Sequence, residues 1–154
     1  MLKEWLDEKG VEYTEYEHPE VFSVEESKSL KSDIPGMHCK TLFLKDNRGR
    51  YYLIGMPANK MLNTKALRGV LGVKKIRFGT PEELKKEVNL TPGSVSIFGA
   101  INSKKVVLII DKEVWNSDKC GFHPNINTST LVLDHSNLEK YYNSLPNEKM
   151  ILEL

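Results

Sequence analysis

One hundred and fifty-four residues are room for one domain, with length enough to bury a core without disulfides or metals. Twenty-two Lys and Arg stand against 21 Asp and Glu, and the resulting net charge of +1 excludes the basic surplus of a general DNA coater. No apolar run approaches the ~20 residues that span a bilayer. The opening stretch carries acids where a signal peptide would be apolar, and two cysteines, Cys39 and Cys120, suit a reducing compartment. The expectation is a single domain over residues 1–154, cytoplasmic, bound to neither DNA nor membrane.

Leu2, Trp5 and Leu6 follow helical spacing, with Gly10 where a C-terminal cap belongs. Val11 to Tyr16 is rich in strand formers. Ser23 with Glu26 forms a capping-box pattern and predicts a helix from Val24 to about Ser32. His38–Leu44 and Arg50–Met56 flank the turn-forming Asp46-Asn47-Arg48-Gly49, the clearest hairpin of the chain. Asn63 is placed to cap a helix that Gly72 ends, and Val73–Phe78 reads as a strand. Thr80-Pro81-Glu82-Glu83 supplies an N-cap, a proline at the first helical position and acids in the first turn. Thr91-Pro92-Gly93 leads into a strand from Ser94 to Phe98, and Lys105–Ile110 is a buried-strand run. Thr128–Leu133 is another strand, Ser136 with Glu139 a second capping box, and Met150–Leu154 a closing strand. Strands and helices interleaved in this way predict an α/β (α+β) fold, a mixed, curled, barrel-like sheet with flanking helices.

Three segments carry candidate chemistry. Alternation in His38–Leu44 places Lys40 on the face of Leu42 and Leu44, so an ammonium points where apolar side chains point. Such a group serves as a proton acceptor or an anion anchor; alternatively its stem snorkels to water, which pattern alone favours. The loop Thr91–Gly99 holds Gly93, Ser94, Val95 and Ser96, where free backbone N–H groups can form an oxyanion site, or simply a tight turn. The segment Cys120–Thr128 holds His123, Asn125, Asn127 and Thr128, donors suited to a ribose or a base edge, or equally to Asx turns without a ligand. A zinc site from His38, Cys39, Cys120 and His123 is disfavoured, because strand neighbours face opposite ways and no Cys-x-x-Cys pair exists. His18 and His135 show no partner pattern. No metal, cofactor or covalent-nucleophile motif is expected.

Taken in order, His18-Pro19-Glu20-Val21-Phe22-Ser23-Val24-Glu25-Glu26, His38-Cys39-Lys40-Thr41-Leu42-Phe43-Leu44, Pro92-Gly93-Ser94-Val95-Ser96 and Phe122-His123-Pro124-Asn125-Ile126-Asn127-Thr128 resemble the YbaK/ProX family of aminoacyl-tRNA deacylases. These are relatives of the editing domain inserted in bacterial prolyl-tRNA synthetases. The similarity runs from about residue 11 to residue 135, and the freestanding length resembles the ProX branch. The resemblance implies hydrolysis of a misattached amino acid from tRNA, usually alanine from tRNA(Pro), without a cofactor. It implies Lys40, Gly93 and His123 as catalytic residues. Phe22, Val24, Ser94, Val95, Ser96, Asn125, Asn127 and Thr128 would then contact substrate. The implied partners are the acceptor end of aminoacyl-tRNA and prolyl-tRNA synthetase. Ile97 departs from the family, standing where its Gly-x-x-x-Pro loop ends in proline. Two alternatives stay open: an editing enzyme for Cys- or Ser-tRNA, and a non-catalytic tRNA- or amino-acid-binding regulatory module.

Overall fold

The hairpin at the centre of the chain forms as its turn residues predict. Strand β2 (Met37–Asp46) pairs antiparallel with β3 (Tyr51–Pro57), from Cys39 opposite Pro57 to Lys45 opposite Tyr51. Asp46 braces the turn: its carboxylate accepts the Arg48 and Arg50 amides at 2.8 and 3.0 Å and the Tyr52 hydroxyl at 2.6 Å. Gly49 takes a positive φ of 84° that a side chain would resist.

The computed structural model describes residues 1–18, 34–126 and 128–154. Helix α1 (Leu2–Glu8) and strand β1 (Thr14–Glu17) open the chain. After the hairpin come α2 (Thr64–Leu71), β4 (Ile76–Phe78), α3 (Pro81–Val88), a 3-10 helix (Ile97–Asn102) and β5 (Val107–Asp111). Helix α4 (Lys112–Trp115), β6 (Lys119–Phe122), β7 (Ser129–Asp134), α5 (His135–Ser144) and β8 (Lys149–Leu152) complete it. The strands form one eight-stranded mixed sheet in the order β1-β7-β6-β2-β3-β5-β8, with β4 also paired to β2. The sheet is flanked by helices as expected and is open, ending at β1 and β8, so its curl does not close a barrel. The helix predicted over residues 24–32 lies outside the described residues.

The helix termini follow local chemistry. Thr80 and Glu83 form the reciprocal capping box of α3, and Asn63 accepts the Ala66 amide at the start of α2. The second box differs from expectation. Asp134, at the end of β7, accepts the Asn137 amide at 2.9 Å, so α5 begins before Ser136 and places it inside the helix. Residues 94–96 do not form a strand either. The Ser96 hydroxyl accepts the Phe98 amide at 3.0 Å, which turns the chain into the 3-10 helix.

Alternation along β2 sorts the core into two. Phe43 joins Leu53, Leu108, Ile110, Phe122, Leu131 and Leu133 on one face, covered by α1, α3, the 3-10 helix and α5. Leu44 joins Tyr52, Ile54, Met56, Val107 and Ile109 on the other, beneath Leu67 of α2. Gly55 is needed on the first face, since a methyl group there would lie 2.8 Å from Cγ2 of Ile97 and 3.2 Å from the Phe122 ring. Gly55→Ala is therefore expected to destabilise the protein by about 1–3 kcal/mol through overpacking, read as a lowered denaturant midpoint with an unchanged m-value.

Candidate functional site

Strand β2 has two different neighbours along one edge. Its first residues pair in parallel with β6 (Met37 with Cys120, His38 with Gly121), and its last pair with β4 (Leu44 with Phe78, Asp46 with Ile76). The parallel ladder ends after those two residue pairs. Continued by two residues, its register brings Lys40 level with His123, on one face of the sheet. Continued by one residue, the β6–β7 register sets His123 opposite Thr130, which is itself opposite Tyr16 on β1. In the other direction Lys40 lies opposite Met56, and one further step of the β3–β5 register reaches Asp111. Carried on in this way, the registers give a transverse row of Tyr16, Thr130, His123, Lys40, Met56 and Asp111 across five strands and the residue that follows β6.

Three members of this row, His123, Thr130 and Asp111, are held by side-chain hydrogen bonds. The His123 Nδ1–H donates to the Ser129 carbonyl at 3.0 Å, which fixes the ring's orientation. His18, for which the sequence offered no partner, hydrogen-bonds Thr130 Oγ1 through Nε2 at 3.1 Å and meets the His123 ring edge-on at 6.0 Å. The available signal was alternation: Thr14, Tyr16 and His18 share one face. At the other end, Lys60 donates to the buried carboxylate of Asp111 at 3.0 Å, and Asp111 also caps α4 through the Glu113 amide. Lys40 is half-buried on the face of Leu42 and Leu44, as alternation requires.

The Gly93 loop is anchored differently. The Ser94 N–H donates to the Thr91 carbonyl at 3.0 Å, and with Pro92 second and Gly93 at φ 88° this is a type II turn. Gly93 is exposed; Ser94 and Val95 are half-buried, and Val95 packs against the first core. The Ser96 hydroxyl is committed to its helix cap. Ile97, which stands where the family's loop ends in proline, is fixed in place: its side chain fills the notch above Gly55, and its carbonyl accepts the buried Tyr141 hydroxyl at 2.6 Å.

In the β6–β7 loop, Asn125 adopts a left-handed φ of 67°, and its Oδ1 is buried without a hydrogen-bond partner. Thr128 is exposed and its carbonyl accepts the His18 amide at 2.9 Å. Phe22, Val24 and Asn127 lie outside the described residues. The four zinc candidates divide by face: Cys39 and Cys120 turn to the first core, His38 and His123 to the other face. Burial pushes the Cys120 thiol up to about 12, which removes it as a nucleophile near neutral pH. Among the described residues no group of three or more His, Cys, Asp or Glu is placed to hold a metal ion. His135 serves structure, its Nδ1 bonding the Trp115 carbonyl at 2.6 Å. Among the described residues, no helix is long and apolar enough to cross a membrane.

The sheet is open and mixed, and its β2–β6 register, carried two residues past the ladder, puts a lysine and a histidine on one face. The family profile of the aminoacyl-tRNA editing domain matches residues 18–141, and the chain belongs to that family. It is accordingly an aminoacyl-tRNA deacylase, an enzyme of translation fidelity. The chain is 33% identical over 152 residues to the prolyl-tRNA editing protein ProX of Acetoanaerobium sticklandii, covering 97% of this chain and 93% of that one. It is 27% identical over 155 residues to prolyl-tRNA synthetase associated domain-containing protein 1 of Danio rerio, covering 98% and 84%. A solved structure described as a candidate trans-editing enzyme for prolyl tRNA synthetase superposes with a TM-score of 0.79 at 15% identity, over 99% of this chain and 93% of that one, and shares the fold.

Proposed function

We propose that this protein is a trans-editing hydrolase that removes alanine from mischarged tRNA(Pro). The reading is supported by the β2–β6 register, which carried two residues past the ladder puts Lys40 and His123 on one face, in a chain similar along nearly its whole length to a prolyl-tRNA editing protein. The substrate is an activated ester, so hydrolysis needs positioning and stabilisation of the developing oxyanion rather than a covalent intermediate. Lys40 holds a phosphate or terminal-ribose oxygen beside the ester. The Gly93 backbone amide faces the carbonyl, and His123, Ser94, Val95, Asn125 and Thr128 line the acyl and ribose sites. The family resemblance assigns substrate contact also to Phe22, Val24 and Asn127, whereas Ser96 is buried with its hydroxyl capping the 3-10 helix. Water attacks the carbonyl carbon. As the tetrahedral intermediate collapses, the bond to the ribose oxygen breaks, that oxygen takes a proton, and alanine leaves the regenerated tRNA end. Prolyl-tRNA synthetase is the partner whose errors this reaction would correct.

The deciding experiment is a deacylation panel with Ala-, Ser-, Cys- and Pro-tRNA(Pro). Alanyl-tRNA is expected to be cleaved fastest and prolyl-tRNA spared, because a small pocket excludes the larger ring more strongly than it rejects a smaller group. Efficient cleavage of Pro-tRNA(Pro) would overturn an editing role, and preference for Cys- or Ser-tRNA would reassign the substrate. Failure on all four would leave a non-catalytic binding module. EDTA is expected to leave the alanyl-tRNA rate unchanged, since alternation sends the cysteines and histidines to opposite faces; lost activity with stoichiometric zinc in the untreated protein would contradict this.

A further inference from the structure

At the far end of β2 from Lys40, the structure gathers positive charge around the hairpin turn. A cleft of about 340 Å³ is lined by Lys45, Asp46, Asn47, Arg68, Lys75 and Arg77, among others. Its frame is rigid: Asn47 Oδ1 accepts the amides of Lys74 and Lys75 at 2.9 and 3.0 Å, which pins the start of β4 against the turn. Asp46 does not neutralise the cleft through an ion pair, because its oxygens take the turn amides and the Tyr52 hydroxyl. Glu83 compensates Arg77, which it meets at 2.8 Å, and Lys45 at 3.1 Å. Among the described residues no carboxylate pairs with Arg48, Arg68, Lys74 or Lys75. Two of these are oriented by backbone: Arg48 donates to the Gly72 carbonyl and Arg68 to the Lys74 carbonyl at 3.2 Å. In a chain of net charge +1, four uncompensated cations in one place leave the remainder net negative.

Phe78 lies between this cleft and the row that holds Lys40. It pairs with Leu44, so it stands on the Lys40 face, and its ring is 60% exposed. Asp46 and Lys40 are six residues apart on β2, about 20 Å at the rise of an extended strand. Forked cations from the turn and α2, the exposed aromatic of β4 and Lys40 therefore succeed one another alongside β2. Phosphate contacts position a nucleic acid, and an aromatic ring stacks an unpaired base of any sequence. An acidic protein partner would give no reason for an aromatic aligned toward the site.

We propose that this cleft binds the sugar-phosphate backbone of the tRNA acceptor stem, with Phe78 stacking on a base of the single-stranded end led to Lys40. The proposal rests on the editing function above and adds where the body of the substrate lies. It is tested with Arg68→Gln/Lys75→Gln and, separately, Phe78→Ala. Binding of uncharged tRNA(Pro) transcript is measured across a series of KCl concentrations, and turnover is compared on alanyl-tRNA(Pro) and on an alanyl-CCA trinucleotide. The double variant is expected to weaken tRNA binding about tenfold and to reduce the slope of log K against log salt by about 2, as loss of two phosphate contacts requires. Phe78→Ala should weaken binding about tenfold with little change in slope. Turnover of the trinucleotide by the double variant should stay within twofold. Unchanged tRNA affinity and salt slope would overturn the proposal, as would an equal loss on the trinucleotide. Weakened binding to polyglutamate with tRNA binding intact would overturn it in favour of an acidic protein. If the wild type hydrolyses no aminoacyl-tRNA, the functional reading fails while the uncharged-tRNA arm still decides the surface.

Discussion

Lys40→Ala is expected to lower the deacylation rate by about a hundredfold or more, the usual consequence of removing a charged group that stabilises or places the reacting centre. The β2–β6 register, carried two residues past the ladder, puts Lys40 and His123 on one face. The side chain is half-buried at the end of the apolar face and contributes little core volume, so the melting temperature should move by only a few degrees. The loss should appear mainly in kcat if the lysine acts in the transition state, and in KM if it only anchors the acceptor end. Lys40→Arg tests the chemistry: a planar fork cannot replace a compact ammonium at a single point, so rescue should be partial. Near-normal turnover by Lys40→Ala would remove this residue from the site.

Replacing the terminal-ribose hydroxyl adjacent to the ester with hydrogen is expected to slow hydrolysis on the order of a hundredfold, comparable to loss of one oxyanion-hole donor. The protein offers few candidates for a base that activates water. Cys120 is buried with its thiol pushed up to about 12, and the Ser96 hydroxyl is occupied in capping the 3-10 helix. The His123 Nδ1–H is held by the Ser129 carbonyl. The family resemblance makes the substrate's own hydroxyl the group expected to orient the attacking water, with His123 as the competing base. Cys39→Ala and Cys120→Ala should accordingly remain active. Full activity on the deoxy substrate would instead point to His123 as the base, and His123→Ala would then show the larger effect.

Elements specified by neighbouring residues were legible in advance. The hairpin at Asp46–Gly49, the capping box of α3 and the Asn63-to-Gly72 frame of α2 each depend on hydrogen bonds spanning a few residues, so residue type and spacing sufficed. Family membership was also legible, since it rests on the order of motifs. The strand expected at Ser94–Phe98 failed because a local side-chain cap, Ser96 onto Phe98, turns the backbone into the 3-10 helix instead of a ladder.

What the chain alone determined is therefore its local elements, its alternation of faces, and the candidacy of Lys40, Gly93 and His123. Tertiary structure decided which of these stand together. Residues 37–38 and 120–121 meet in a parallel ladder of two pairs, too short and too distant in sequence to leave a local pattern, and its register, carried on, puts Lys40 and His123 on one face. The same holds for His18, drawn to Thr130 and His123 by the pairing of β1 with β7. It holds for Ile97, which Gly55 and Tyr141 from remote elements fix in place. Local hydrogen bonding can be read from spacing; contacts between strands far apart in sequence depend on how the whole sheet closes its core.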